Sequence, residues 1–333
     1  MEGQDTLLGR ILGDDFRVVR LLGFGGFARV YLAEQMSVGR RKVALKVLHA
    51  AHGDVASAVA GLKREAAFLA MVRSPCFPRV LRTGTTPEGI PYFAMELVHG
   101  RTLETEIRER GAFPIDEAIP VLDQAMEGVV ELHARDIVHR DLKPGNLFLE
   151  PVPGLGPQVR MVDLGSARAA YEPDSRTAQG GGIPVGSPPY AAPETALTGQ
   201  TSEASDLYSL GCVAYETLAG ARAIHLPNAD AQTFLEYLRG NGPVPVHRLG
   251  SLNPEIPEAV EEVVHKALAR DPRMRWGSVE EFRQAIRMAA LPFLKDSEAF
   301  RVFLRHRPSG AQPQATGPSR LWDRINPLRF RKG

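Results

Sequence analysis

Cysteine is scarce in this chain, with Cys76 and Cys212 the only two in 333 residues. Two thiols cannot build a disulfide framework, and they suit a reducing compartment. Long apolar runs are missing as well. No stretch of about 18 apolar residues occurs, so no bilayer-spanning helix is expected. Neither sign of charge dominates: 40 Lys and Arg stand against 39 Asp and Glu, a formal net charge of +1. Bulk charge therefore gives no reason to expect nucleic acid or an anionic membrane as a partner. The opening residues, MEGQDTLLGR, hold no basic segment followed by an apolar run, so no secretory leader is expected. Together these absences predict a soluble, cytoplasmic protein.

The remaining composition is ordinary for a globular chain, 44% hydrophobic and 24% charged. Its length suggests two domains or lobes rather than one core. Residues 16–48 alternate apolar and polar with glycines between, which predicts strands over FRVVRLL, ARVYLAE and KVALKVL. Residues 54–72 carry Ala, Leu and Met at helical spacing, with Asp54 as the expected N-cap. Two strands are expected near 80–84 and 91–98. Helical patterns then dominate, at 103–109, 115–134, 204–220, 229–239, 256–269 and 278–290. Residues 308–320, PSGAQPQATGPSR, have the composition of a flexible linker.

Several short stretches carry chemistry. GFGGFARV (23–30) lies between two expected strands. Glycines there let backbone N–H groups approach phosphate oxygens, because no Cβ intervenes. A purely structural hairpin would look similar. It is no dinucleotide fingerprint, since Ala28 replaces the third glycine and a strand follows. Lys46 ends VALK among Val43, Ala44, Leu45, Val47 and Leu48. A lysine in such an apolar strand is costly to bury without an anion. The alternative is an edge-strand lysine facing water. Glu65 is the only glutamate between Lys46 and Glu88, so it is the expected partner. Finally, HRDLKPGN (139–146) gathers His139, Arg140, Asp141, Lys143 and Asn146 within one short loop.

With DLG at 163–165, APE at 192–194 and DLYSLG at 206–211, these motifs fall in the order of the protein kinases. From about residue 15 to about 292 the chain resembles them, in particular the bacterial, eukaryotic-like Ser/Thr kinases. The resemblance implies an α+β, bilobal fold. An extension (1–14) would precede a strand-rich N-lobe with one helix (15–98). A helical C-lobe (99–292) and a C-terminal extension (293–333) would follow.

The resemblance also implies roles, residue by residue. Asp141 would accept the proton of the substrate hydroxyl, and Lys143 would neutralise charge on the transferred group. Lys46, paired with Glu65, would hold the ATP phosphates. Asn146 and Asp163 would bind Mg²⁺, with Mn²⁺ as a substitute. Gly23, Gly25 and Gly26 would cover the phosphates. Leu22, Val30 and Ala44 would lie above the adenine and Leu149 below it. Met95 would stand at the back of the pocket. Glu96 and Val98 would present backbone C=O and N–H to the adenine edge, where side-chain identity matters less than an extended backbone.

Departures from the family pattern are small. Leu164 replaces the phenylalanine of D-F-G, and Ser187 replaces a usual threonine, with a hydroxyl able to bond Asp141 and Lys143. Tyr208 replaces a common tryptophan. PVPGLGP (151–157) reads as a lengthened turn between strands. Glu194 and Arg275 resemble the family's buried ion pair, and Asp206 its anchor for the catalytic loop. Lys143 and the activation segment favour protein Ser/Thr hydroxyls as acceptors. Gly145 argues against a strong arginine preference. Ser175 and Thr177 are the candidate sites of activating phosphorylation, with a constitutively ordered loop as the alternative. A pseudokinase scaffold and a small-molecule kinase are the alternatives. Both find little support, because Lys46, Asp141, Asp163 and an APE segment are all present. The tail SRLWDRINPLRFRKG (319–333) mixes five basic residues with aromatic and aliphatic ones around Pro327. The favoured reading is that it packs back onto the lower lobe or is disordered; the alternative is weak docking on an anionic membrane or an acidic partner.

Overall fold

The computed structural model describes residues 6–25, 27–49, 55–154, 156–169, 187–226, 230–240 and 246–294. Short β1 (Ile11–Leu12) leads into β2 (Phe16–Phe24), β3 (Ala28–Gln35) and β4 (Arg41–Leu48). Helix α1 (Val55–Met71) follows, then β5 (Val80–Thr85) and β6 (Pro91–Glu96). These six strands form one antiparallel sheet in the order β1-β2-β3-β4-β6-β5. Asp54, the expected cap of α1, lies outside the described residues. β6 stops at Glu96, two residues short of expectation, where the chain leaves the sheet to cross to the second lobe.

Both faces of this sheet are covered, which explains the nearly continuous apolar run in β4. Val43, Leu45 and Val47 face one core with Tyr31, Ala33, Tyr92 and Ala94. Ala44 and Leu48 face the other, with Leu62, Ala66 and Leu69 of α1. Strand alternation therefore puts Lys46 on the α1 side.

The second lobe is helical. Tiny β7 (Arg101–Thr102) precedes α2 (Leu103–Arg110) and α3 (Ile115–His133). The loop 139–146 lies between β8 (Ile137–Val138) and the hairpin β9 (Leu147–Val152) and β10 (Gly156–Met161). β11 (Arg168–Ala169) pairs with β8, and β7 pairs with β9. Then come α4 (Pro193–Thr198), α5 (Glu203–Ala219), α6 (Ala231–Arg239), α7 (Leu249–Leu252), α8 (Glu258–Ala267) and α9 (Val279–Leu294). The expected helices appear within a few residues of their predicted ends. The short α4 and α7 were not expected, because one turn carries too little periodicity to detect.

One expectation is corrected. The turn at 151–157 is short, since Val152 pairs with Gly156 and Pro151 with Pro157. The prolines sit within strands at the end of the hairpin, where a missing N–H is tolerated. α5 is buried along nearly its whole length, from Ser205 to Leu218. It forms the central post of this lobe, with Tyr208, Tyr215 and Leu210 fully buried. Among the described residues no helix is long and apolar enough to cross a membrane.

Candidate active site

Two clusters face each other where the lobes meet. The first centres on Lys46. Its Nζ lies 2.6 Å from Glu65 Oε1 and 2.9 Å from Asp163 Oδ1. Glu65 is a buried residue of α1, one of four that helix turns inward. Burial alone would depress the Lys46 pKa, but the charges of Glu65 and Asp163 outweigh it and hold the pKa above the usual lysine value. Burial would raise that of Asp163; the Lys46 charge and hydrogen bond outweigh it and lower the pKa. Burial pushes Glu65 up, with Asp163 adding to it and Lys46 opposing. Leu164 is buried and belongs to the same apolar core as Leu62, Ala66 and Leu69 of α1. Asp163 adopts φ +75°, a left-handed conformation uncommon outside glycine.

The second cluster is the loop 139–146. Lys143 Nζ donates to Asp141 Oδ2 at 2.8 Å and to Ser187 Oγ at 2.8 Å. Ser187 Oγ donates to Asp141 Oδ1 at 2.9 Å. The serine therefore makes both bonds expected of the usual threonine. Asn146 Nδ2 donates to the Asp141 backbone oxygen at 2.8 Å and to Oδ2 at 3.2 Å.

The loop itself is held from beneath by Asp206 of α5. Its carboxylate accepts the His139 N–H at 2.8 Å, the Arg140 N–H at 2.9 Å and a bond from His133 Nε2 at 2.9 Å. Arg140 has φ +73°, and the bond to Asp206 offsets the strain of that conformation. Burial would raise the Asp206 pKa, but the His133 hydrogen bond and charge pull it below the ordinary value.

The residues present fit a divalent cation. The bonds made by Asn146 Nδ2 fix the amide orientation, leaving Oδ1 without a hydrogen bond among the described residues. Asp163 Oδ1 serves Lys46 and the Gly165 N–H, which leaves Oδ2 open in the same sense. No cluster of three or more His, Cys, Asp or Glu side chains suited to a metal occurs among the described residues. Two oxygen ligands suffice for Mg²⁺, which keeps waters and binds phosphates.

The predicted nucleotide pocket is assembled along the sheet and linker. Leu22 sits at a register shift between Leu21 and Gly23, and Gly23 pairs with Val30. Gly25 N–H bonds the Ala28 oxygen at 2.8 Å, closing the glycine turn. Gly26 lies outside the described residues. Val30 opposes Lys46, and Ala44 opposes Met95. Leu149 of β9 packs on the same core as Ala44 and Met95. Val98 lies in the linker, half-buried. Ser175, Thr177, the segment 170–186 and the tail 319–333 lie outside the described residues.

The Glu96 carboxylate bonds Arg160 Nη2 at 2.8 Å and Arg79 Nε at 2.9 Å, a side-chain role added to the backbone role expected of it. His133, Arg160 and Glu150 were also missed by sequence reasoning. Arg160, a charge between buried Val159 and Met161, was the one available signal.

The wider frame agrees with the expected ion pair. Arg275 makes a two-pronged bond to Glu194 at 2.7 Å for each oxygen. Tyr208 is fully buried and takes the Arg275 guanidinium at 4.9 Å from its ring centre. Cys76 and Cys212 are buried and unpaired.

The family model described as "Protein kinase domain" matches residues 16–288. The chain is 36% identical over 291 residues to the serine/threonine-protein kinase Pkn1 of Myxococcus xanthus, which covers 87% of this chain and 40% of that protein. It is 34% identical over 310 residues to the serine/threonine-protein kinase pkn2 of the same organism, covering 92% and 36%. It is 30% identical over 283 residues to the serine/threonine-protein kinase PrkC of Bacillus subtilis, covering 85% and 42%. The chain thus spans about two fifths of the length of these relatives.

Proposed function

Because the chain belongs to the protein kinase family, we propose that it transfers the γ-phosphoryl group of ATP to serine and threonine hydroxyls of proteins. The observation that carries this reading is the pair of facing clusters, Lys46–Glu65–Asp163 and Asp141–Lys143–Asn146–Ser187. Phosphoryl transfer asks a protein mainly for positioning and charge neutralisation. Lys46, fixed by Glu65, meets the phosphates as an already oriented cation. Asp141 has its carboxylate held in one orientation by Lys143 and Ser187, ready to align an acceptor hydroxyl and take its proton. Lys143 places a second positive charge beside that hydroxyl. Asn146 Oδ1 and Asp163 Oδ2 are the atoms that would hold Mg²⁺, or Mn²⁺ in its stead. When bound, the metal neutralises phosphate charge.

The names of the relatives support serine and threonine as acceptors, as does Lys143 in its loop. Buried, unpaired Cys76 and Cys212 support a reducing, cytoplasmic setting. The test is transfer of label from [γ-³²P]ATP with Mg²⁺ to a generic protein acceptor, beside an Asp141→Asn control. Label on protein Ser or Thr that vanishes in the control is the expected result. Label confined to a small molecule would instead identify a small-molecule kinase, and no transfer at all a pseudokinase.

A further inference from the structure

The linker between the lobes is stapled to the β9–β10 hairpin by a network of charges that the proposed chemistry does not use. Glu96 closes β6 and accepts from Arg160 Nη2 at 2.8 Å. Arg79 adds its Nε at 2.9 Å and its N–H at 3.2 Å. Three residues on, the His99 N–H donates to Glu150 Oε1 at 3.0 Å. Arg160 Nε lies 3.8 Å from Glu150 Oε2, too far for a hydrogen bond but close enough for charge attraction. One guanidinium thus sits between a linker carboxylate and a hairpin carboxylate.

The partners differ in weight. The Arg160 side chain is only 14% exposed, whereas that of Arg79 is 84% exposed. Solvent screens Arg79, so its pair contributes little. Arg160 Nε is buried without a hydrogen bond, so this cation depends on the two carboxylates for compensation. The backbone reinforces the staple. Gly100 has φ +104°, and a Cβ there would lie 2.1 Å from the Leu149 oxygen, so only glycine lets the linker pass so close to β9. Arg101 then pairs with Leu149 across β7 and β9.

Leu149 is the residue placed below the adenine, and Glu96 and Val98 carry the backbone groups placed at its edge. We propose that Arg160 is a positioning residue for the nucleotide. It fixes the distance between the linker backbone that reads the adenine edge and the hairpin that forms its floor. This rests on the kinase reading above.

The test measures KM for ATP, kcat and the preference for ATP over GTP in the full chain and in Arg160→Met, Arg160→Lys and Glu150→Gln, alongside melting temperatures. For Arg160→Met we expect KM for ATP to rise about tenfold with kcat at saturation within about twofold, because binding geometry and not chemistry is disturbed. The preference for ATP over GTP should fall, and Arg160→Lys should restore most of both. An unchanged KM with a lowered melting temperature would make Arg160 merely structural and overturn the proposal. Equal loss in kcat and KM would do the same. Should Arg160→Met fail to fold, Glu150→Gln decides: a rise of about threefold in KM supports the staple, and an unchanged KM overturns it. If the wild-type chain neither binds nor uses ATP, the kinase reading itself falls, a result distinct from variants that bind ATP like wild type.

Discussion

Lys46–Glu65 in the cleft and Arg275–Glu194 in the helical lobe are both ion pairs with a buried partner, yet they differ in what they leave open. Arg275 has a fully buried side chain and makes five hydrogen bonds: two to Glu194 and one each to the oxygens of Ala269, Ala204 and Arg270. A guanidinium has five N–H donors, so nothing is left for a ligand. Lys46 also has little exposure, 12%, but its second carboxylate, Asp163, is 50% exposed. One cation there faces two anions, and one anion keeps an unbonded oxygen toward the cleft. Closure marks Arg275–Glu194 as architecture. Surplus negative charge with an open side marks Lys46–Glu65–Asp163 as the place where the proposed metal and phosphates would complete the balance. Burial of a salt bridge is therefore a poor guide to role; the unsatisfied atoms around it are the better guide.

Substitutions at four positions would break or sharpen that contrast. Arg275→Met should be the most damaging, costing about 3–5 kcal/mol because Glu194 and three carbonyl oxygens lose their donor together. Urea unfolding would measure this, and a loss below about 1 kcal/mol would contradict the closed-pair account. Next, Lys46→Met should lower phosphoryl transfer about 10²–10³-fold, some 3–4 kcal/mol of barrier. Its fold should survive, since burial raises the Glu65 pKa and the carboxyl can take up a proton once the lysine charge is gone. Steady-state transfer assays with a melting curve separate the two effects, and activity within about tenfold of wild type would refute the role assigned to Lys46.

Asp206→Asn comes third, at about 1–3 kcal/mol, because one amide oxygen must replace a carboxylate with three donors. Its pH dependence follows from the lowered Asp206 pKa. The stabilisation is complete above the ordinary aspartate value of 3.8 and is lost as pH falls through the lower folded value. The gap between wild type and variant should thus stay flat from about pH 8 to 5 and narrow only in stronger acid. A gap that changed near neutrality would point to a different group. The mildest change is Ser187→Ala, expected to slow transfer by about fivefold, or about 1 kcal/mol, since Lys143 and Asp141 still hold each other. Ser187→Thr should be nearly silent, and kcat for both variants would check this.

Much of the site was legible in the residues alone because its chemistry is local. HRDLKPGN sets Asp141, Lys143 and Asn146 at spacings one short loop can gather. VALK announces a costly lysine, and the single intervening glutamate identifies its partner. The strands of the first lobe were readable for the same reason, since period-2 alternation and glycine turns act over a few residues. The one-turn helices α4 and α7 lacked any such periodic signal. So did the true extent of the β9–β10 hairpin, where prolines in strand positions resembled a loop.

Tertiary structure alone decided which distant groups meet. Arg160 finds Glu96 across 64 positions, Arg275 finds Glu194 across 81, and His133 finds Asp206 across 73. The apolar neighbours Val159 and Met161 flag Arg160 as a charge in an apolar strand, but nothing local names its partner, which is chosen by how β10 lies beside the linker. The open oxygens of Asn146 and Asp163 were equally hidden, since an atom is left free only once packing has satisfied its neighbours. Residue type and spacing therefore specify which chemical groups are available, as properties of the chain over a few bonds. Their orientation, burial and unsatisfied atoms depend on long-range packing, which no short stretch of sequence encodes.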